Sequence, residues 1–265
     1  MTSDSVLLNI LVAVGLFAGL LVCLEFWFYL GKRARVRREE HPDQLATIQG
    51  ATLGLLALLL GFSFALAAGR FNTRLDLITS EANAIGTAWL RCDLLPAAQR
   101  DEVRELLHRY TANRIAFYDA RDDATLATVV TQAEALQAAM WGVVADAAKS
   151  SPALAQVLLP PFNEVIDRHG LRVAAMRRHM PVLLLVLLLA SSLVSVASVG
   201  YGCGVAGKRN VLLTTALIFL IAGVLWAIID MDHPRKGLIR ADDKPMQDLL
   251  RTTGRPILPQ QGAAR

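Results

Sequence analysis

Residues 48–91 read IQGATLGLLALLLGFSFALAAGRFNTRLDLITSEANAIGTAWLR. No charge occurs from Ile48 to Ala68, a run long enough to carry a helix across a hydrocarbon core of about 30 Å. Arg70, Arg74 and Glu81 then appear with no proline or turn cluster between them, so the pattern predicts one helix from Ile48 to about Leu94. Leu95–Pro96 ends it, because proline lacks an N–H and pushes the preceding residue out of helical geometry. A helix that is apolar in one half and charged in the other decides the fold class: an all-α polytopic membrane protein.

Three more stretches, 6–30, 181–204 and 211–229, are as apolar as 48–68, which makes four transmembrane helices. Among all Asp, Glu, Lys and Arg residues, only Glu25 falls inside the four. The chain of 265 residues is 54% hydrophobic and 19% charged, with a mean hydropathy of +0.42. A soluble domain carries about 25% charged residues, so these averages blend a membrane part with an ordinarily polar part. A soluble enzyme with one large core and a disordered chain are both excluded. The first stretch reads as a retained helix and not a signal peptide. Its leader has no basic residue, its apolar run exceeds the usual ~7–15, and it ends in the interfacial aromatics Phe26, Trp27, Phe28 and Tyr29.

Between the spans lie a short basic loop (31–47), a helical extramembrane bundle (69–180) and a C-terminal tail (230–265). In the bundle, Val103, Leu106, Leu107, Tyr110 and Phe117 mark one helical face, and a second helix follows Asp123. Ser151–Pro152 is an N-cap and first-turn pair for a third, which Pro160–Pro161 is expected to break or kink. Residues 162–178 are expected to run directly into the third span. Lys32, Arg33, Arg35, Arg37 and Arg38 stand in the first loop, and the N-terminal tail has no Lys or Arg. The first helix usually dominates orientation, so that loop is expected inside the cell and both termini outside.

No nucleophile elbow, phosphate loop, dinucleotide fingerprint or zinc-binding helix pair is present, so no enzyme activity and no cofactor are expected. Cys23, Cys92 and Cys203 are isolated and read as packing residues. His108 and His169 read as solvated on polar helix faces. The candidates for chemistry are two. At helical spacing, Gln49, Thr52, Leu56, Leu59, Ser63, Leu66, Arg70 and Arg74 form one stripe of the second span, continued by Glu81. Such a stripe can line a pore in a symmetric oligomer, with arginines favouring anions and an apolar middle gating by dewetting. It can equally be an interhelical seam, with Arg74 paired to Glu81. The second candidate is ion binding by Glu25 or by Asp230, Asp232 and His233 past the last span. Glu25 can otherwise snorkel toward Lys32, and Pro234 simply ends the helix. Gly15/Gly19, Gly50/Gly54 and Gly200/Gly204 are close-approach pairs, and Ser191, Ser195 and Ser198 can bond across helices.

The runs Gly61–Arg74, Glu81–Arg91, Asp93–Pro96 and Asp232–Arg240 resemble the bestrophin-like family of bacterial membrane proteins over nearly the whole chain. More distantly, Arg70-Phe71 with Arg74 is similar to the end of the second membrane helix of bestrophin anion channels. The resemblance implies a four-span, pentameric channel passing inorganic ions in a bacterial inner membrane. Two features depart from bestrophins: their first loop is external, and their aromatic neck and acidic calcium clasp have no counterpart here. The expected function is therefore a homo-oligomeric ion channel lined by the second span. The alternative is a non-conducting scaffold or sensor whose helical bundle binds a partner. The net charge of +4 and pI near 9.2 reflect basic residues beside the spans, which meet anionic lipid headgroups; nucleic acid is not an expected partner.

Overall fold

A computed structural model describes residues 3–37, 42–120, 122–233 and 237–254, and among these every regular element is helical. The elements are α1 (Ser3–Arg37), α2 (Pro42–Arg91), a 3₁₀ turn (Cys92–Leu94), α3 (Ala97–Asp119), α4 (Asp123–Lys149), α5 (Pro152–Arg177), α6 (Val182–Ala206), α7 (Val211–Asp232) and α8 (Lys244–Thr253). Four helical stretches are long and apolar enough to cross a membrane. Contacts divide the chain into two units: Met1–Phe71 with His179–Arg240, and Asn72–Arg178 with Ala241–Arg265. Helix α2 contributes to both.

The first unit packs Leu20, Leu24, Leu56, Leu60, Leu188, Ile218 and Leu225 together. Its polarity is inverted relative to a soluble domain. Leu183 is 80% and Leu212 78% exposed, whereas Ser63, Ser192 and Ser195 are buried. Exposed apolar surface on this scale is stable only against lipid or another apolar partner. Helices α1 and α6 cross at glycines. A Cβ on Gly200 would stand 2.5 Å from the Leu24 carbonyl oxygen, and one on Gly204 would overlap the carbonyl oxygen of Phe28. These two glycines are what let the backbones meet. Around Gly15, Gly19, Gly50 and Gly54 the same construction meets nothing within 4 Å, so those pairs are unused within the protomer. Helix α6 ends at Gly207 in the left-handed conformation (φ 66°), a common helix stop.

The second unit has its own core of Ile78, Ile85, Leu107, Tyr110, Met140, Leu158 and Phe162. Its capping follows the sequence: Asp122 Oδ1 accepts the Thr125 amide at 2.7 Å, and the Ser151 hydroxyl accepts the Leu154 amide. Two expectations need correction. Of the break or kink expected at Pro160 and Pro161, the break does not occur: both sit inside α5 without ending it, because burial of Leu158, Phe162 and Val165 outweighs the lost backbone bonds. Helix α5 does not run into the third span. It stops at Arg177, Arg178 is extended (ψ 104°), and Pro181 bars helical geometry at Met180. The tail contains α8, whose Met246 is fully buried and whose Leu249 approaches Gly86 of α2.

Candidate functional site

The α2 stripe divides by environment. Gln49 donates from Nε2 to the Ser198 carbonyl at 2.6 Å, the Thr52 and Ser198 hydroxyls lie 3.2 Å apart, and the Ser195 hydroxyl donates to the Thr52 carbonyl at 3.1 Å. Ser191 instead bonds within α6 to Leu188. Leu56 and Ser63 are buried and Leu59 half-buried. Arg74 is buried and donates to the carbonyls of Arg178 (3.0 Å) and Ala175 (3.4 Å). This side of α2 is therefore a seam inside the protomer. Within the protomer, Gln49, Thr52 and Arg74 have their polar groups engaged by α5 and α6, and Leu56 and Ser63 are buried. Leu66, 52% exposed, and Arg70, half-buried, stand at its flank.

Arg70 belongs to a junction in the first unit. Its Nη1 is 3.8 Å from Asp232 Oδ1, and both oxygens of Asp232 accept the Met180 amide at 3.0 Å. His179 Nδ1 is 3.4 Å from Asp232 Oδ2, and the rings of His179 and His233 stack with centroids 5.4 Å apart. His179, Asp232 and His233 offer ligand atoms within 4.8 Å of one another and are the described residues able to hold a metal ion. Asp230, one turn back, is not part of that group. Its carboxylate accepts the amides of Leu238 (2.8 Å) and Ile239 (2.7 Å), and a Cβ at Gly237 would press on it at 2.9 Å. Asp230 is thus a fastener for the 237–239 turn. Pro234 lies outside the described residues. Glu25 pairs with Arg209, Oε1 to Nη1 at 2.6 Å, and the partner is Arg209 where Lys32 was expected, because the α6–α7 loop folds over it.

The second unit holds a polar cluster that the sequence reading passed over. Glu81 is fully buried. It accepts hydrogen bonds from Tyr110 Oη (2.6 Å) and Arg114 Nε (2.9 Å) on one oxygen and from Arg172 Nη1 on the other. Gln137 Nε2 donates to Tyr110 at 3.2 Å. The Arg114 guanidinium lies 4.3 Å from the centre of the Phe117 ring, and Arg172 lies 5.0 Å from that of Tyr118. Burial alone would raise the Glu81 carboxyl, but Arg172 and Arg114, with the Tyr110 hydrogen bond, hold it below the usual range. Burial pushes the Tyr110 hydroxyl well up, and Glu81 adds to this. His169 is buried against Tyr110, not solvated; burial, with Arg114 and Arg172 adding to it, lowers its pKa to about 4. The missed signal is positional. Glu81, Arg114 and Arg172 occupy the i+3 or i+4 slots of apolar faces, with Ile78 and Ile85, Tyr110 and Phe117, and His169 and Met176 on either side.

Four apolar helices, a serine-and-glycine seam between them and ion-paired groups at their ends define a polytopic all-α membrane protein. The family model for the bestrophin-like domain matches residues 16–246, and the chain belongs to that family. Among solved structures it is similar to a variant of a bacterial bestrophin homologue from Klebsiella pneumoniae, at 12% identity over 89% of this chain and 100% of that chain, with a TM-score of 0.65. At that identity the likeness is one of fold. No curated protein matches the chain.

Proposed function

We propose that the protein is a homo-oligomeric ion channel of a bacterial inner membrane, with α2 from each copy arranged around the axis. The observation that carries this reading is the side of α2 opposite the seam. At about 100° per residue, Gly50, Gly54, Leu58, Gly61 and Ala65 share that side, and all are exposed. A Cβ at Gly50, Gly54, Gly61 or Gly69 would meet nothing within 4 Å. A span with a fully packed seam on one side and a bare glycine side on the other has its partner outside the protomer. Small residues let copies of α2 approach one another. A pentamer is the arrangement the family resemblance suggests.

The test is flux from vesicles carrying purified protein, together with its mass in mild detergent. An oligomer whose flux is blocked by a water-soluble thiol reagent at Leu58→Cys, and not at Leu56→Cys, is the expected outcome. A monomer with flux no greater than that of empty vesicles refutes the channel and leaves the scaffold or sensor reading.

A further inference from the structure

The buried cluster of the second unit does not balance its charge. Glu81 is the one buried carboxylate of this unit among the described residues, and it faces two buried guanidinium groups, Arg114 (0% exposed) and Arg172 (1%). His169, with a pKa of about 4, is neutral at physiological pH and supplies no negative charge. One positive charge is left over. Hydrogen bonding is incomplete in the same place: Nη1 and Nη2 of Arg114 and both ring nitrogens of His169 are buried without a partner among the described residues, and Nε and Nη2 of Arg172 lack a well-aligned one, with only the Tyr118 hydroxyl close by. Glu81 cannot supply all that is missing, since its two oxygens already take three donors and have room for about one more.

Buried arginine is a donor-only group that keeps its charge, so leaving it uncompensated is among the costliest arrangements in a protein interior. Water would satisfy some of the N–H groups but would leave the charge. A carboxylate side chain from elsewhere in the unit is not at hand among the buried residues. What fits both deficits is a small anion that accepts several N–H bonds at once. Tyr110 and Phe117 are buried beside the cluster, and the two guanidinium groups lie over the rings of Phe117 and Tyr118. A halide, which has no directional lone pairs, can take N–H donors from several sides of such a cluster at once.

We infer that Arg114 and Arg172, with a ring nitrogen of His169, form a binding site for a halide-sized inorganic anion inside the second unit. The ion is structural: it completes the ion pair begun by Glu81 and fastens α2, α3 and α5 to one another. The site lies on residues that the proposed conduction path does not use, so it holds whether or not the protein conducts.

The test uses the full-length protein in detergent. Thermal unfolding is followed as chloride replaces gluconate at constant ionic strength, and crystals grown in bromide are measured for anomalous scattering. The expected result is a saturable rise of a few degrees in Tm with chloride or bromide, and a bromide peak in contact with the Arg114 and Arg172 guanidinium groups. In Glu81→Gln, which makes the cluster more positive, half-saturation moves to lower chloride; in Arg114→Gln the anion-dependent rise disappears. If either variant does not fold, the wild-type measurements decide. A wild-type Tm indifferent to the anion, or bromide peaks only at other places, overturns the inference.

Discussion

Replacing Gly200 by alanine tests the α1–α6 crossing quantitatively. The new methyl would stand 2.5 Å from the Leu24 carbonyl oxygen and 3.3 Å from its Cα and carbonyl carbon, where ordinary contact begins at 3.4 Å. All three atoms are backbone, so no side chain can swing aside. The helices must separate by about 1 Å, and a close-packed interior passes such a shift to its neighbours. Leu20 and Leu24 on α1 and Val196 on α6, all buried beside the contact, lose packing with it. Overpacking of this kind costs about 1–3 kcal/mol. Alanine also gains about 1 kcal/mol in helix propensity over glycine, which would mask part of the loss. Gly19→Ala on α1 is the matched control, because its new methyl meets nothing within 4 Å and the propensity gain is the same. The difference between the two variants in thermal unfolding isolates the steric cost, at about 2–4 °C for each kcal/mol. Gly200→Ala as stable as Gly19→Ala would refute the close crossing.

Glu81→Gln should destabilise the protein by about 3–5 kcal/mol at neutral pH in chloride-free buffer, read by denaturant unfolding, because it strands two buried guanidinium groups. Acidification should show two losses. His169 has a folded pKa below its unfolded value near 6.5, so its contribution is complete above that pH and is lost as pH falls toward about 4; His169→Gln should flatten this part of the stability curve. Glu81, also depressed in the folded state, contributes above the ordinary carboxyl pKa, and its stabilisation is lost below that as the pH falls through its folded pKa. Cys92, whose thiol burial pushes up to about 12, should resist maleimide at pH 7.5 until the protein is denatured, as followed by mass spectrometry. Asp230→Ala should cost about 1.5–3 kcal/mol and increase hydrogen exchange at Leu238 and Ile239, whose amides it receives.

The membrane helices were legible because their signal is local: an uncharged run of about 20 residues has few other readings. The cap at Ser151 was legible for the same reason, whereas the second helix of the bundle is capped by Asp122, one residue before the Asp123 that the sequence pointed to. What the periodicity of α2 could not tell is which side of the helix is which. The polar stripe Gln49–Thr52–Ser63 suits water and suits the hydroxyls of α6 equally well, and the sequence does not show that Ser195 and Ser198 come to stand against Gln49 and Thr52 within the protomer. The Glu81 cluster was hidden for a related reason. Arg114, Glu81 and Arg172 each look like solvated helix charges until three distant segments bring them together. The stop at Arg177 was a local signal passed over, since Pro181 bars helical geometry at the residue before it. Helix α8 was missed because Met246 and Leu249 are too few to register as a face in a ten-residue helix.

The bond from Asp232 to the Met180 amide joins residues 52 positions apart, at opposite ends of the α6–α7 pair. During synthesis, Met180 is complete while Asp232, which accepts its amide, is still to be made. This bond at the approach to α6 therefore stays open until α7 has been translated to its last residue. Helices α6 and α7 consequently close this bond as a pair rather than in succession, and chain termination anywhere before Asp232 leaves the third apolar helix without it at its start.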